Sequence, residues 1–236
     1  MTAPGPEETT MPGTSDVRPD IGRQDVTIAL VDEAVGGSPE RLESAAAAVV
    51  ARWRSTPWPE GLVALSLFTG TDGTSLLTYA QWDTDGTSQE ALREAARDLR
   101  PDWHALGLSA GEPRAFELYR VVRPTDLPEP LPVVQCYPAA FFAMNDGRTA
   151  RAWVDGLLGK EEKTEGEDRA YPGALAANFH VSADDDGIFL LSEWASEAEA
   201  VVHIKEVIEP LLEYMGQAEA GAGRRYAFRT TVPAAG

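Results

Sequence analysis

Asn178 and His180 stand two residues apart in the stretch Ala174–Val181, a spacing that puts both side chains on one face of a strand. An imidazole takes a phenolic or enolic proton near neutral pH, and a carboxamide orients the oxygen left behind. Trp194, Ser192 and Leu190 alternate in the same way, as do Trp82, Ala80 and Thr78 earlier in the chain. Each set places smaller residues beside an indole, which leaves room for a flat ring against an aromatic wall. These patterns nominate His180, Asn178 and Trp194 as catalytic residues, and Thr78, Trp82, Tyr79, Ser192 and His203 as substrate contacts. Each has a purely structural counterpart. The tryptophans are first of all core residues, and a lone histidine on a helix, as His203 is, ordinarily belongs to a surface or a satisfied core. A buried Asn or His costs about 1–3 kcal/mol unless it finds partners, so the strand face could equally be wet, or the pair bonded to the backbone of the other half.

The elements that position these residues occur twice. Trp58-Pro59-Glu60-Gly61-Leu62-Val63-Ala64 opens a strand, Thr71-Asp72-Gly73-Thr74 turns, and Leu76–Trp82 returns. Tyr171-Pro172-Gly173-Ala174-Leu175-Ala176-Ala177 opens another, Asp184–Gly187 turns, and Ile188–Trp194 returns. Asp-Gly between apolar runs is a hairpin signal, because glycine supplies the positive φ of a tight turn. Trp58 and Trp82 stand 24 residues apart, Tyr171 and Trp194 23. Paired from their aromatic-proline starts, the strands align Asn178 and His180 with Leu65 and Leu67, so the polar pair is expected in one copy alone. Ser38-Pro39 starts a helix with Leu42, Ala45, Ala46, Val49, Val50 and Trp53 on one face, and Asp146 precedes its counterpart through Ala150, Trp153, Val154, Leu157 and Leu158. Ser88 caps a helix stopped by Pro101, and Ser196-Glu-Ala-Glu199 is a capping-box pattern opening the matching one. First strands at Val26–Val31 and Val133–Phe142, and closing strands at Ala115–Val121 and Arg225–Thr230, complete two β-α-β-β-α-β units. The expected fold is therefore α+β, with two ferredoxin-like repeats packed sheet to sheet as an intramolecular α/β barrel. The boundaries are a mobile tail at 1–24, a first domain at 25–123, a proline-rich linker at 124–132 and a second domain at 133–236. Lys160–Arg169 reads as a solvated loop and Cys136 as a small buried hydrophobe.

Tyr79-Ala80-Gln81-Trp82-Asp83-Thr84, followed by a capped helix, resembles the antibiotic-biosynthesis monooxygenase family, here in tandem over roughly residues 25–122 and 132–232. The resemblance implies small ferredoxin-like units pairing into an α/β barrel. It also implies oxidation of anthrone or phenol rings of aromatic polyketides by molecular oxygen, without metal or flavin. The family pattern, Asn-x-x-x-Trp, keeps its Trp as Trp82 and Trp194, but the Asn position is Thr78 in one half and Leu190 in the other. Thr78 still carries a hydroxyl donor and Leu190 none, so in the second half a hydrogen-bonding partner has to come from elsewhere.

Composition narrows the partners. The 236 residues carry 20 Lys+Arg against 38 Asp+Glu, a net charge of −18, which opposes binding to nucleic acid or anionic lipid. One cysteine allows no intrachain disulfide and no thiolate metal cluster, and no secretory or membrane-spanning segment is legible, so a cytoplasmic protein is expected. No phosphate-binding, dinucleotide, zinc-protease or serine-hydrolase motif occurs, and no cofactor is expected. Three functions remain open: a cofactor-independent oxygenase using molecular oxygen on a small aromatic, polyketide-like substrate; a redox-neutral cyclase or isomerase; and a non-catalytic binding protein. A haem protein is the outsider, with His104, His180 and His203 its only candidate histidine ligands.

Overall fold

A computed structural model of the chain describes residues 17–84, 89–165, 171–214 and 223–234. The expected Ser88 cap, residues 1–16 and the end of the Lys160–Arg169 run lie outside them. The first half runs β1 (Ile28–Val35), α1 (Pro39–Ser55), β2 (Leu62–Gly70), β3 (Ser75–Trp82), α2 (Gln89–Arg97), a short β4 (Ser109–Ala110) and β5 (Arg114–Val122). The second runs β6 (Tyr137–Ala143), α3 (Gly147–Glu165), β7 (Ala174–Ser182), β8 (Gly187–Trp194), α4 (Glu197–His203), a π-helical turn (Ile204–Ile208), α5 (Glu209–Tyr214) and β9 (Arg224–Pro233). Lys160–Glu165 is thus the last turn of α3 and not loop.

The caps act as their chemistry dictates. Ser38 Oγ accepts from the Arg41 amide at 3.4 Å at the start of α1. Ser196 Oγ accepts from the Glu199 amide at 3.3 Å, the first arm of the capping box, and its hydroxyl donates to the Glu199 carboxylate at 2.7 Å in place of the Ser196 amide that the second arm would use.

All strands lie in one antiparallel sheet, and the fold is α+β with ferredoxin-like element order in each half. Within the halves the neighbours run β5-β1-β3-β2 and β9-β6-β8-β7. The halves do not merely face each other as separate sheets. They are hydrogen-bonded along their edges, β2 to β9 and β5 to β7, so the pairing circuit returns to its start.

Strand alternation then divides the apolar residues into three layers. One side of the first half packs Leu30, Leu65 and Leu67 under α1 and α2. The same side of the second half packs Phe179, Val181 and Ile188 under α3 and α5. The opposite side of both halves forms a shared interior of Ala29, Val31, Phe68 and Tyr79 from one half with Tyr137, Phe189, Leu191 and Tyr226 from the other. Ile21 joins this interior at 2% exposure, and Gln81 Nε2 donates to the Asp20 carbonyl at 2.8 Å. The last residues of the expected tail, 17–24, are therefore seated on the fold, because Ile21 buries its side chain between the halves. Residues 124–132 contain no strand or helix, and β6 begins four residues later than expected, at Tyr137.

Candidate functional site

The second half encloses an apolar cavity of about 100 Å³ between its sheet and its helices. Its floor is the outward side of β7 and β8, where Ala177 and Phe179 alternate inward-facing neighbours and Leu190, Ser192 and Trp194 do the same. Trp153 and Leu157 of α3 form one wall, and His203, Ile204 and Ile208 of the α4 segment form the other, with Tyr171 at the side. The second wall contains the π-helical turn, in which the Glu209 amide donates to the Ile204 carbonyl five residues back. Such a widened turn shifts the helix face by part of a residue and is frequent beside functional sites. Here it carries Ile204 and Ile208, with His203 immediately before it.

Few polar groups reach this space, and most already have partners. Trp194 Nε1 donates to Ser192 Oγ at 3.1 Å, and Ser192 Oγ donates to the Pro138 carbonyl at 3.4 Å. Two atoms are different: His203 Nδ1 and Trp153 Nε1 are buried without a hydrogen-bond partner. The His203 ring lies between Tyr171, with centroids 4.2 Å apart, and Trp194, 4.9 Å away. The Trp153 ring lies against Phe142, with centroids 5.0 Å apart and the planes tilted by 35°. Burial holds the His203 imidazole well below the ordinary histidine range, at about 4, so it is neutral at pH 7. A neutral imidazole in an apolar cavity can accept a proton from an acidic ring substituent. An indole N–H with no partner can donate to an oxygen.

Among the described residues the first half has no equivalent space. Its counterpart measures about 40 Å³ and is lined by Trp53, Thr78 and Arg100, with Asp32 at its base. The Asp32 carboxylate accepts from Trp103 Nε1 at 2.7 Å and from Arg100 Nε at 3.0 Å, so the polar groups there bond to one another. Thr78 Oγ1 is turned to the Asp32 carbonyl at 3.5 Å, and Trp82 is core, 1% exposed.

His180 and Asn178 do not line either cavity. Both lie on the inward side of β7, in the interior shared by the halves. His180 Nδ1 faces two carbonyl oxygens, of Asn178 at 3.1 Å and Phe189 at 3.2 Å. Carbonyls only accept, so Nδ1 carries the proton, Nε2 is the acceptor, and the Tyr79 hydroxyl donates to it at 3.0 Å. Asn178 Nδ2 donates to the Leu191 carbonyl at 3.0 Å and to the Glu193 carboxylate at 2.9 Å. Glu193 is itself raised above the usual carboxylate range, chiefly by burial. Tyr79, expected as a substrate contact, thus belongs to this internal network.

The strand register explains the difference. Leu62 opposes Trp82 and Ala174 opposes Trp194, each followed by the same bulge, so Ser66 and Phe68 are the first-half counterparts of Asn178 and His180. A pairing shifted by one residue sends every side chain to the other face. Of the expected site residues, the structure gathers Trp194, Ser192 and His203 at the second-half cavity, puts Thr78 at the small one and leaves the rest elsewhere. Trp153 and Tyr171 are additions, each concealed in the sequence by an apolar pattern that a core residue also satisfies. Among the described residues no helix is long and apolar enough to cross a membrane.

Comparison with known proteins places this geometry among fold relatives. No protein-family model matches the chain, and no curated protein matches it in sequence. An anthrone oxidase-like protein of known structure superposes with a TM-score of 0.64 at 13% identity, over 90% of this chain and 95% of its own. A candidate monooxygenase from Fusobacterium nucleatum superposes with a TM-score of 0.50 at 9% identity, over 91% of this chain and 97% of its own. At such identities the likeness is one of fold: this chain has the fold of monooxygenase-like proteins with ferredoxin-type architecture.

Proposed function

We propose that the second-half cavity is the active site of a cofactor-independent monooxygenase that oxidises an anthrone- or phenol-type polycyclic ring of the aromatic polyketide class with molecular oxygen. The observation that carries this reading is the buried His203 Nδ1, unpartnered in an aromatic-walled cavity. The fold likeness to an anthrone oxidase-like protein supports it. In this reading the two halves are tandem repeats of the antibiotic-biosynthesis monooxygenase type closed into an intramolecular barrel, and the first serves as scaffold. A single buried cysteine suits a reducing compartment, so the cytoplasm is the proposed place of action.

The chemistry asks little of the protein. His203 Nδ1 removes a proton from the ring methylene or phenol. The imidazolium formed is stabilised by the substrate anion beside it, which offsets the burial that keeps the free imidazole neutral. The electron-rich anion then passes an electron to oxygen, and recombination gives a hydroperoxide at the ring carbon. Loss of water leaves a ketone. One oxygen atom stays in the product and the other departs in water with the two methylene hydrogens, so no outside reductant is needed.

Anthrone in an oxygen electrode provides the test: uptake of one O₂ per anthraquinone formed is expected. His203→Ala should lower turnover by about 10²–10⁴ with the fold intact. Conversion of the ring without oxygen uptake would replace this reading by a redox-neutral isomerase or cyclase.

A further inference from the structure

The two unpartnered atoms lie on different walls, and they define a ligand more narrowly than the cavity does. Trp153 Nε1 on α3 is a donor without an acceptor. His203 Nδ1 on α4 is an acceptor without a donor once the ring proton resides on Nε2. The strand indole, Trp194, is no substitute, because its N–H is already given to Ser192. The described lining holds one buried acid, Glu161, and no Lys or Arg, so a carboxylate would enter without a counter-ion and beside a like charge, at a high desolvation cost. The volume sets size: a cavity of 150 Å³ holds benzene, and this one measures about 100 Å³. The seated part of a ligand is therefore at most one ring. Val122 and Leu158 border both this cavity and a shallow groove that also contains Arg120, Asp155 and Glu162, so the groove lies directly beside the cavity.

We infer that the seated portion is a single ring without negative charge, carrying a carbonyl that accepts from Trp153 Nε1 and a hydroxyl that donates to His203 Nδ1. This rests on reading the cavity as the ligand site and is independent of the oxygen chemistry. Trp153 is then a specificity-determining residue: it holds the oxygen on which charge accumulates as His203 takes the proton.

An isosteric series tests it by calorimetry at pH 7: 4-hydroxyacetophenone, acetophenone, 4-ethylphenol and ethylbenzene, with 4-hydroxybenzoate as the charged analogue. Trp153→Phe keeps the ring and deletes the N–H. It should weaken the two ketones about tenfold and leave 4-ethylphenol and ethylbenzene within about twofold. His203→Phe should weaken the two phenols by a similar factor and spare acetophenone. 4-Hydroxybenzoate should bind the wild-type chain at least about a hundredfold more weakly than 4-hydroxyacetophenone. Equal weakening of all four neutral compounds by Trp153→Phe would make Trp153 only a wall and overturn the inference. So would no effect on any of them, tight binding of the benzoate, or no saturable binding by the wild-type chain. Anthrone oxidation reports separately: turnover with a flat binding pattern sinks this inference alone, and the expected pattern without oxygen uptake sinks the oxygenase alone.

Discussion

Two histidines with the same depressed basicity have opposite availability. Burial pushes His180 and His203 each down to about 4, yet every nitrogen of His180 is engaged and His203 Nδ1 is not. His180 is therefore a structural residue with a pH signature. Its folded value lies below the unfolded 6.5, so the unfolded chain binds the proton first. Its contribution is complete above pH 6.5 and is lost as pH falls towards 4, by about 3 kcal/mol over that window. His180→Phe, which copies the equivalent Phe68, should cost about 1–3 kcal/mol at pH 7 by leaving the Tyr79 hydroxyl buried and unpaired. That deficit should shrink in urea titrations at pH 4.5, while anthrone turnover stays within a few-fold of wild type. An identical pH slope in both proteins would show that His180 is not held neutral by burial.

At the scale of elements, the cavity depends on where α4 is anchored. Ser196 fixes its first turn, and His203 lies two turns further on. Ser196→Ala should cost about 1 kcal/mol, read as a lower melting temperature, and should raise KM more than His180→Phe does. The element order, the hairpins and the Ser196 cap were legible because each rests on local chemistry: an Asp-Gly turn with its positive φ at Gly73, an Asp-rich turn in which Asp185 takes that φ in place of Gly187, Ser-Pro and Ser-x-x-Glu starts, apolar faces. The side of β7 that faces the cavity was not, because it hangs on one residue. Glu60 is extra in Trp58-Pro59-Glu60-Gly61 relative to Tyr171-Pro172-Gly173, so matching from the aromatic residue carries a slip into the strand. The better anchors are Gly61 and Gly173, at φ +78° and +77°, whose carbonyls accept from Asp83 and Ala195 just past each closing Trp. Trp153 could not be told from core by periodicity, since what distinguishes it is the absence of an acceptor at its indole nitrogen.

For the whole molecule, the circuit of strands makes each half the other's cover. β2 and β5 have their outer partners, β9 and β7, in the second half, and the shared interior draws on both. Residues 25–124 expressed alone should therefore aggregate or form a homodimer, as light scattering after gel filtration would reveal. A soluble, cooperatively folded monomer would mean that the first half needs no such cover.

Two halves of one element order, with the cavity of one filled, also set a stoichiometry. The Asp32–Arg100–Trp103 cluster leaves the first half about 40 Å³, too little for a ring, whereas the second keeps its space. A symmetric pair of such units would offer two equivalent sites. Among the described residues this chain offers one such space, so on the proposed reading a titration should end at one molecule per chain with a hyperbolic isotherm, free of communication between like sites.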